Sequence, residues 1–155
     1  MDRLVALSLI AGLALNPALA LACNQPEPPR FDGGDPGLEG GVSISVGRIA
    51  DLIWVPLLID GVPVPEDAGL SLKIGFDGTV TGTTGCNRFT GTAEMDAGEL
   101  VFGPLAVTEM ACVEPDRMER EAAYLKALGE VRWFVAAPEG LWLSREDGTV
   151  AVCLW

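Results

Sequence analysis

The chain has 155 residues, 49% of them hydrophobic and 21% charged, with 22 acidic against 10 basic side chains for a formal charge of -12. That is enough apolar material for one packed core and too little length for two, and the negative field repels nucleic-acid phosphate. The sequence contains no histidine, which excludes Ser-His-Asp and Cys-His nucleophiles, histidine general bases and every His-containing zinc or haem site.

Residues 1–22 read as an export signal. One net cationic residue, Arg3, precedes the apolar run Leu4 to Leu15, and Asn16-Pro17 breaks it. Twelve residues make about 18 Å of helix, short of a bilayer core of roughly 30 Å. The segment ends Leu19-Ala20-Leu21-Ala22-Cys23, which resembles the bacterial lipobox, although Ala20 stands where leucine is commonest. The expectation is a lipidated Cys23 on a membrane face, with the outer membrane favoured because Asn24 is not aspartate. Ordinary cleavage after Ala20 or Ala22 is the alternative, leaving Cys23 as a plain thiol or half of a disulfide.

Residues 23–49 read as a tether. The stretch NQPEPPRFDGGDPGLEGG is dense in Pro and Gly with four acidic side chains, and it cannot bury enough surface to offset the entropy of ordering it. Asp32-Gly-Gly-Asp35 lacks the further ligands and the closing glutamate of a calcium loop.

The folded part is expected over residues 50–155. A strand-like run surrounds Trp54 to Ile59, with Pro56 confining it to an edge or a bulge, and Asp60-Gly61 is a tight-turn pair. Leu70, Leu72, Ile74 and Phe76 recur with period two, Asp77-Gly78 turns the chain into Thr79 to Thr83, and Asp96-Ala97-Gly98 joins Phe89–Met95 to Glu99–Phe102. After Glu114-Pro115 the period becomes helical. Met118, Ala122, Leu125 and Leu128 are placed on the apolar face, Arg117, Arg120, Glu121 and Lys126 on the polar side, and Gly129 at the end. Val131–Val135, Leu141–Ser144 and Thr149–Leu154 follow as strands. The fold class is α+β: a curled antiparallel β-sheet, a meander that is partly barrel-like, with one amphipathic helix packed on it.

The most distinctive stretch is Gly82-Thr-Thr-Gly85-Cys86-Asn87-Arg88-Phe89-Thr90-Gly91, in which Asn87 is the only asparagine after position 24. Glycine and asparagine tolerate positive φ, so the strand is interrupted by a sharp backbone feature. Thr108-Glu109-Met110-Ala111-Cys112 lies further on. With Trp54, the helix ending Tyr124-Leu-Lys-Ala-Leu128 and the closing Leu141-Trp-Leu143, these blocks resemble the META (HslJ-like) domain of bacterial envelope proteins, over about residues 50 to 155. The resemblance picks out Gly85, Cys86, Asn87, Phe89, Thr108, Met110 and Cys112, and it implies a Cys86–Cys112 disulfide. It also implies a small secreted or lipid-anchored protein of the periplasm, linked to envelope stress and with no established catalytic chemistry. An oxidising compartment suits such a bridge, which would contribute about 3.5 kcal/mol on chain-entropy grounds.

Cys153 departs from the family pattern. Among Val150, Val152 and Leu154 it reads as a buried small hydrophobe, with a Cys112–Cys153 bridge or a reactive thiol as competing readings. Other chemistries fare poorly. The glycine-rich stretch lacks the Lys and Ser/Thr of a phosphate loop, the cysteines show no C-x-x-C zinc spacing, and Asp60, Asp77 and Asp96 are explained by turns rather than by a glycosidase pair. Core packing is expected of Trp54, Trp133, Trp142 and Trp155, and the strands are too short for a transmembrane barrel. The expected protein is a non-enzymatic envelope binding module without catalytic residues, metal or cofactor, whose partner is an unidentified envelope protein or ligand. An acidic inhibitor of a cationic envelope enzyme is the alternative, and a hydrolase using carboxylates or Cys153 is a third.

Overall fold

The computed structural model describes Cys23 and residues 49–155, apart from Ala97, Ala111 and Glu139. The leader expected at residues 1–22 and the tether expected beyond Cys23 lie outside the described residues. The described residues form eleven strands, of which β4, β6 and β7 alternate most clearly between buried and open side chains: β1 (Ile53–Trp54), β2 (Pro56–Ile59), β3 (Val62–Pro63), β4 (Leu70–Ile74), β5 (Thr79–Thr84), β6 (Arg88–Asp96), β7 (Glu99–Phe102), β8 (Ala106–Val107), β9 (Trp133–Ala137), β10 (Gly140–Ser144) and β11 (Val150–Leu154). One helix, α1 (Pro115–Gly129), separates β8 from β9.

The strands form one antiparallel sheet in the order β1-β4-β5-β6-β7-β9-β10-β11-β2-β3, with β8 beside β6. Val55 joins β1 to β2 and exchanges backbone hydrogen bonds with Trp155, at 2.8 and 3.0 Å. The same short segment thus pairs with β4 at one end of the order and with β11 at the other. The sheet is therefore strongly curled. Pro56 lies opposite Leu154 next to a register shift, the bulge that a residue without an N–H donor calls for. Asp60 and Gly61 both adopt positive φ, 50° and 75°, in the β2–β3 turn.

Inside the curl, Leu72 and Ile74 of β4, Val80 of β5, Leu100 of β7, Leu143 of β10 and Val152 of β11 are all fully buried in one cluster with Tyr124 and Leu128 of α1. The ring of Tyr124 meets that of Phe89 edge-on at 5.9 Å, and its hydroxyl donates to the carbonyl of Ser71 at 3.4 Å. Burial pushes the Tyr124 phenol up from its ordinary value, so it stays neutral at any physiological pH. Gly82 pairs with Phe89 across β5 and β6. A side chain there would stand 2.3 Å from the Phe89 ring, so the aromatic occupies the space the glycine leaves.

Three expectations are corrected. The β4 strand stops at Ile74, and Phe76, expected as its last inward residue, is 66% exposed in the following turn. The helix occupies the expected residues but faces the core differently. Met118 is exposed, whereas Glu121 and Arg117 are half-buried and Tyr124, Ala127 and Leu128 line the core. Its stripe is centred on Tyr124, which at about 100° per residue lies about 140° around the helix from the midpoint of Met118 and Ala122. Finally, Trp133 and Trp155 are exposed and take no part in the core, whereas Trp142 is buried and the half-buried Trp54 packs against the core as expected.

Candidate functional site: the Asn87 clasp and the Trp155 cleft

The two sequence blocks meet on one side of the curled sheet. Gly85, with φ of 87°, makes the sharp turn between β5 and β6. A Cβ there would lie 2.1 Å from the carbonyl oxygen of Ala68, so only glycine fits. Cys86 is bonded to Cys112 through a disulfide. Next to it, Asn87 is 3% exposed and its side-chain amide behaves as a stand-in strand. Its Oδ1 accepts from the Met110 N–H at 2.8 Å and from the Thr108 hydroxyl at 2.8 Å. Its Nδ2 donates to the Met110 carbonyl at 3.2 Å and to the Glu121 carboxylate at 3.0 Å.

Neighbouring groups complete the network. The Thr84 hydroxyl donates to Glu121 and accepts from the Asn87 N–H at 3.0 Å, while the Thr108 hydroxyl accepts from the Arg88 N–H at 3.1 Å. Arg117, one turn before Glu121, donates to the carbonyl of Gly85 at 3.1 Å. An asparagine amide can accept two hydrogen bonds and donate two. All four are made here within the protein, so the amide is spent on holding α1, the β5–β6 turn and residues 108–112 together.

Of the seven residues singled out by sequence, Gly85, Cys86, Asn87, Thr108, Met110 and Cys112 converge in this clasp. Phe89 belongs instead to the core, against Tyr124. Met110 contributes its backbone, and its residue remains 59% exposed. Thr84 and Glu121 were missed. The signal for Glu121 was its place three residues before Tyr124 on the true buried stripe, which the choice of Met118 as a core position concealed.

The turn carboxylates have structural employment. Asp77 accepts from the Thr79 N–H at 2.9 Å, and Asp147 accepts from both the N–H and the hydroxyl of Thr149 at 2.9 and 2.6 Å. These hydrogen bonds hold both carboxyls below the usual carboxylate range, with Arg145 adding a smaller attraction at Asp147. Asp60 and Glu130 are bridged by Arg145, whose Nε lies 2.8 Å from Glu130. Asp96 closes β6 opposite Glu99. The turn carboxylates Asp60, Asp77 and Asp96 are therefore distributed over separate turns. Among the described residues no group of three or more Cys, Asp and Glu side chains is gathered where it could hold a metal ion.

Cys153 is buried as expected, but it is not a lone hydrophobe: its sulfur is bonded to that of Cys23. This corrects the unpaired reading, and with Cys112 bonded to Cys86 it displaces the Cys112–Cys153 alternative. The thiol expected to carry lipid is thus occupied in this form of the chain.

Two of the surface concavities are formed by described residues. One, of about 400 Å³, lies along β5, β6 and β8 between Thr81, Arg88, Thr90 and Thr108. The other, of about 260 Å³, is lined mainly by apolar atoms and is walled by Leu52, Ile53, Trp54, Ala137, Pro138 and Trp155. Ile53 is 71% exposed and Trp155 58% exposed at its rim.

A curled antiparallel sheet around one helix, clasped by an asparagine and a neighbouring disulfide, defines a small α+β domain whose central motif is architectural. The chain belongs to the META domain family, whose model matches residues 48–154. A search of curated proteins found no match. Among solved structures, the chain is similar to a protein from Burkholderia xenovorans determined by NMR, with 28% identity, a TM-score of 0.56 and coverage of 84% of this chain and 97% of that one. A second NMR structure is 24% identical over 70% of this chain and 93% of the other, with a TM-score of 0.56, and shows the same fold.

Proposed function

We propose that this META-domain protein is an exported, non-enzymatic binding module of the cell envelope, and that it grips a partner protein through the apolar cleft beside Trp155. The observation that carries this reading is the cleft itself: Ile53 and Trp155 stand exposed around a concavity lined mainly by apolar side chains. Exposed aromatic and aliphatic side chains around a concave surface are the usual anchors of recognition. The motif supports the reading from the other side, because the Asn87 amide is fully hydrogen-bonded within the protein and is used to hold the fold. The periplasm is the proposed location, and the role is envelope maintenance under stress.

The net charge of -12 favours a partner with a basic surface around the inserted apolar group. It also supports a second reading, inhibition of a cationic envelope enzyme, because a field of this sign steers basic proteins toward the domain. The test is crosslinking in living cells from a photoreactive amino acid at position 53, with mass spectrometry of the adducts at low and high salt. A discrete adduct that is lost on Trp155→Ala supports the cleft. An adduct that is a basic hydrolase and weakens with salt supports inhibition. No adduct above that from an exposed control such as position 76 contradicts both.

A further inference from the structure

The outer face of β10 and β11 is buried although it points away from the core. Leu141 and Leu143 of β10, and Val152 and Leu154 of β11, belong to the interior cluster. Trp142 and Cys153 alternate with them, pair across the two strands and so face outward. Yet they are only 3% and 1% exposed. The Trp142 Nε1 is buried without a hydrogen-bond partner, as on a surface that chain has covered. What reaches this face is identified by covalent connection: Cys153 Sγ is bonded to Cys23 Sγ, 130 positions away in sequence.

We propose that Cys153 is a capture site for Cys23, and that disulfide closure and lipid attachment are competing fates of the one Cys23 sulfur. The inference rests on the export reading above but is independent of the Trp155 cleft. Each fate balances on its own. In lipidation the Cys23 thiol forms a C–S bond to the diacylglyceryl group of a phospholipid, the C–O bond to the phosphate headgroup breaks, and the thiol proton leaves with the headgroup. In closure, the Cys153 thiolate attacks the disulfide of an envelope dithiol–disulfide oxidant. The Cys23 thiolate then displaces that oxidant from the mixed disulfide, and the two cysteines' two electrons and two protons end in the oxidant's dithiol.

A sulfur in a thioether cannot be oxidised to a disulfide, and one in a disulfide cannot accept the diacylglyceryl group. The chain therefore exists in two forms. In the lipidated form Cys153 is a free thiol. In the closed form the chain has no lipid at Cys23, and it leaves the membrane when ordinary cleavage after Ala20 or Ala22 hydrolyses the peptide bond to the leader. Cys153 lies 130 positions after Cys23 and so leaves the export channel later, so delay of lipidation, or early completion of folding, favours closure.

The test uses the full chain expressed with its leader in a bacterial host, separated into membrane and soluble envelope fractions and digested without reductant after alkylation. The expected result is a linked Cys23–Cys153 peptide in the soluble fraction and an alkylated Cys153 in the membrane fraction. Cys153→Ser and Cys153→Ala should each raise the membrane-to-soluble ratio severalfold, and Cys23→Ser should leave all material soluble with Cys153 alkylated. Circular dichroism confirms that the variants fold. The proposal is overturned if no fraction contains the linked peptide, or if folded Cys153 variants partition as the parent does. Capture from position 53 is read separately, so a failure here leaves the cleft standing and a failure there leaves the sulfur competition standing.

Discussion

Asn87 and Glu121, 34 residues apart in sequence, are joined by two hydrogen bonds from one amide nitrogen, at 3.0 and 3.2 Å, and this contact docks the helix on the β5–β6 turn. Removing the amide strands several groups at once. Asn87→Ala leaves the Met110 N–H, the Thr108 hydroxyl and the Glu121 carboxylate short of partners, so a loss of about 2–4 kcal/mol is expected in urea unfolding. Asn87→Asp should cost at least as much, since an acceptor oxygen then faces both Glu121 and the Met110 carbonyl. A loss below about 1 kcal/mol for either variant contradicts the clasp.

The neighbouring bridge carries an independent share. Cys86 and Cys112 close a loop with a separation of 26, and the Cys86→Ala/Cys112→Ala double variant should be less stable by about 3.5 kcal/mol in the same measurement. Because Asn87 and the disulfide hold the same segment, removing both should cost less than the sum of the separate losses.

The corrected helix face makes an asymmetric prediction. Met118→Lys and Ala122→Lys, on positions that solvent reaches, should change unfolding free energy by no more than about 0.5 kcal/mol. Ala127→Lys, at a fully buried position, should cost several times that or prevent folding. The reverse asymmetry would mean that the helix is seated the other way round, and equal tolerance would contradict the burial of Ala127.

Acid should loosen the two Asp-Gly turns. Asp77 and Asp147 have folded values held below the ordinary 3.8 by hydrogen bonds from Thr79 and Thr149. A carboxyl depressed on folding contributes stability that is complete above its unfolded value and disappears as pH falls through its folded value. Unfolding free energy should therefore decline below about pH 4, and the Asp77→Asn/Asp147→Asn double variant should show a shallower decline. An unchanged slope removes these turns from the acid response.

Arg145 ties three separate segments. Its guanidinium pairs with Asp60 of the β2–β3 turn and Glu130 just after α1, and these pairings raise its own value further above the ordinary one. Its side chain is 23% exposed, so solvent weakens the pairs, and Arg145→Met should cost only about 1 kcal/mol. That difference should shrink in high salt.

Much of this was legible in the sequence because it is local. Period-two alternation located the strands from Leu70 onward, Asp-Gly pairs marked the turns, and Pro56 announced the bulge. The clasp was legible only as an unusual concentration of Gly, Cys and Asn, since the partner of Asn87 is a glutamate that reads as an ordinary surface charge until Tyr124 fixes the helix orientation. Phe76 satisfied the strand period, but the chain had already turned. Trp155 looked like core material by composition, and only the pairing of Val55 with its backbone leaves the indole at the rim. The Cys23–Cys153 bond spans nearly the whole sequence, and no local pattern can choose among the partners of Cys153.

In the proposed division of labour Asn87 holds the domain together while Ile53 and Trp155 meet the partner. The most direct measurement is partner capture from a photoreactive group at position 55, half-exposed beside the cleft, compared among folded Ile53→Asp, Trp155→Ala and Asn87→Ala proteins at a temperature where all three retain their circular dichroism. The prediction is loss of capture for the first two and parental capture per folded molecule for the third. Parental capture by Ile53→Asp, together with loss in folded Asn87→Ala, would contradict it.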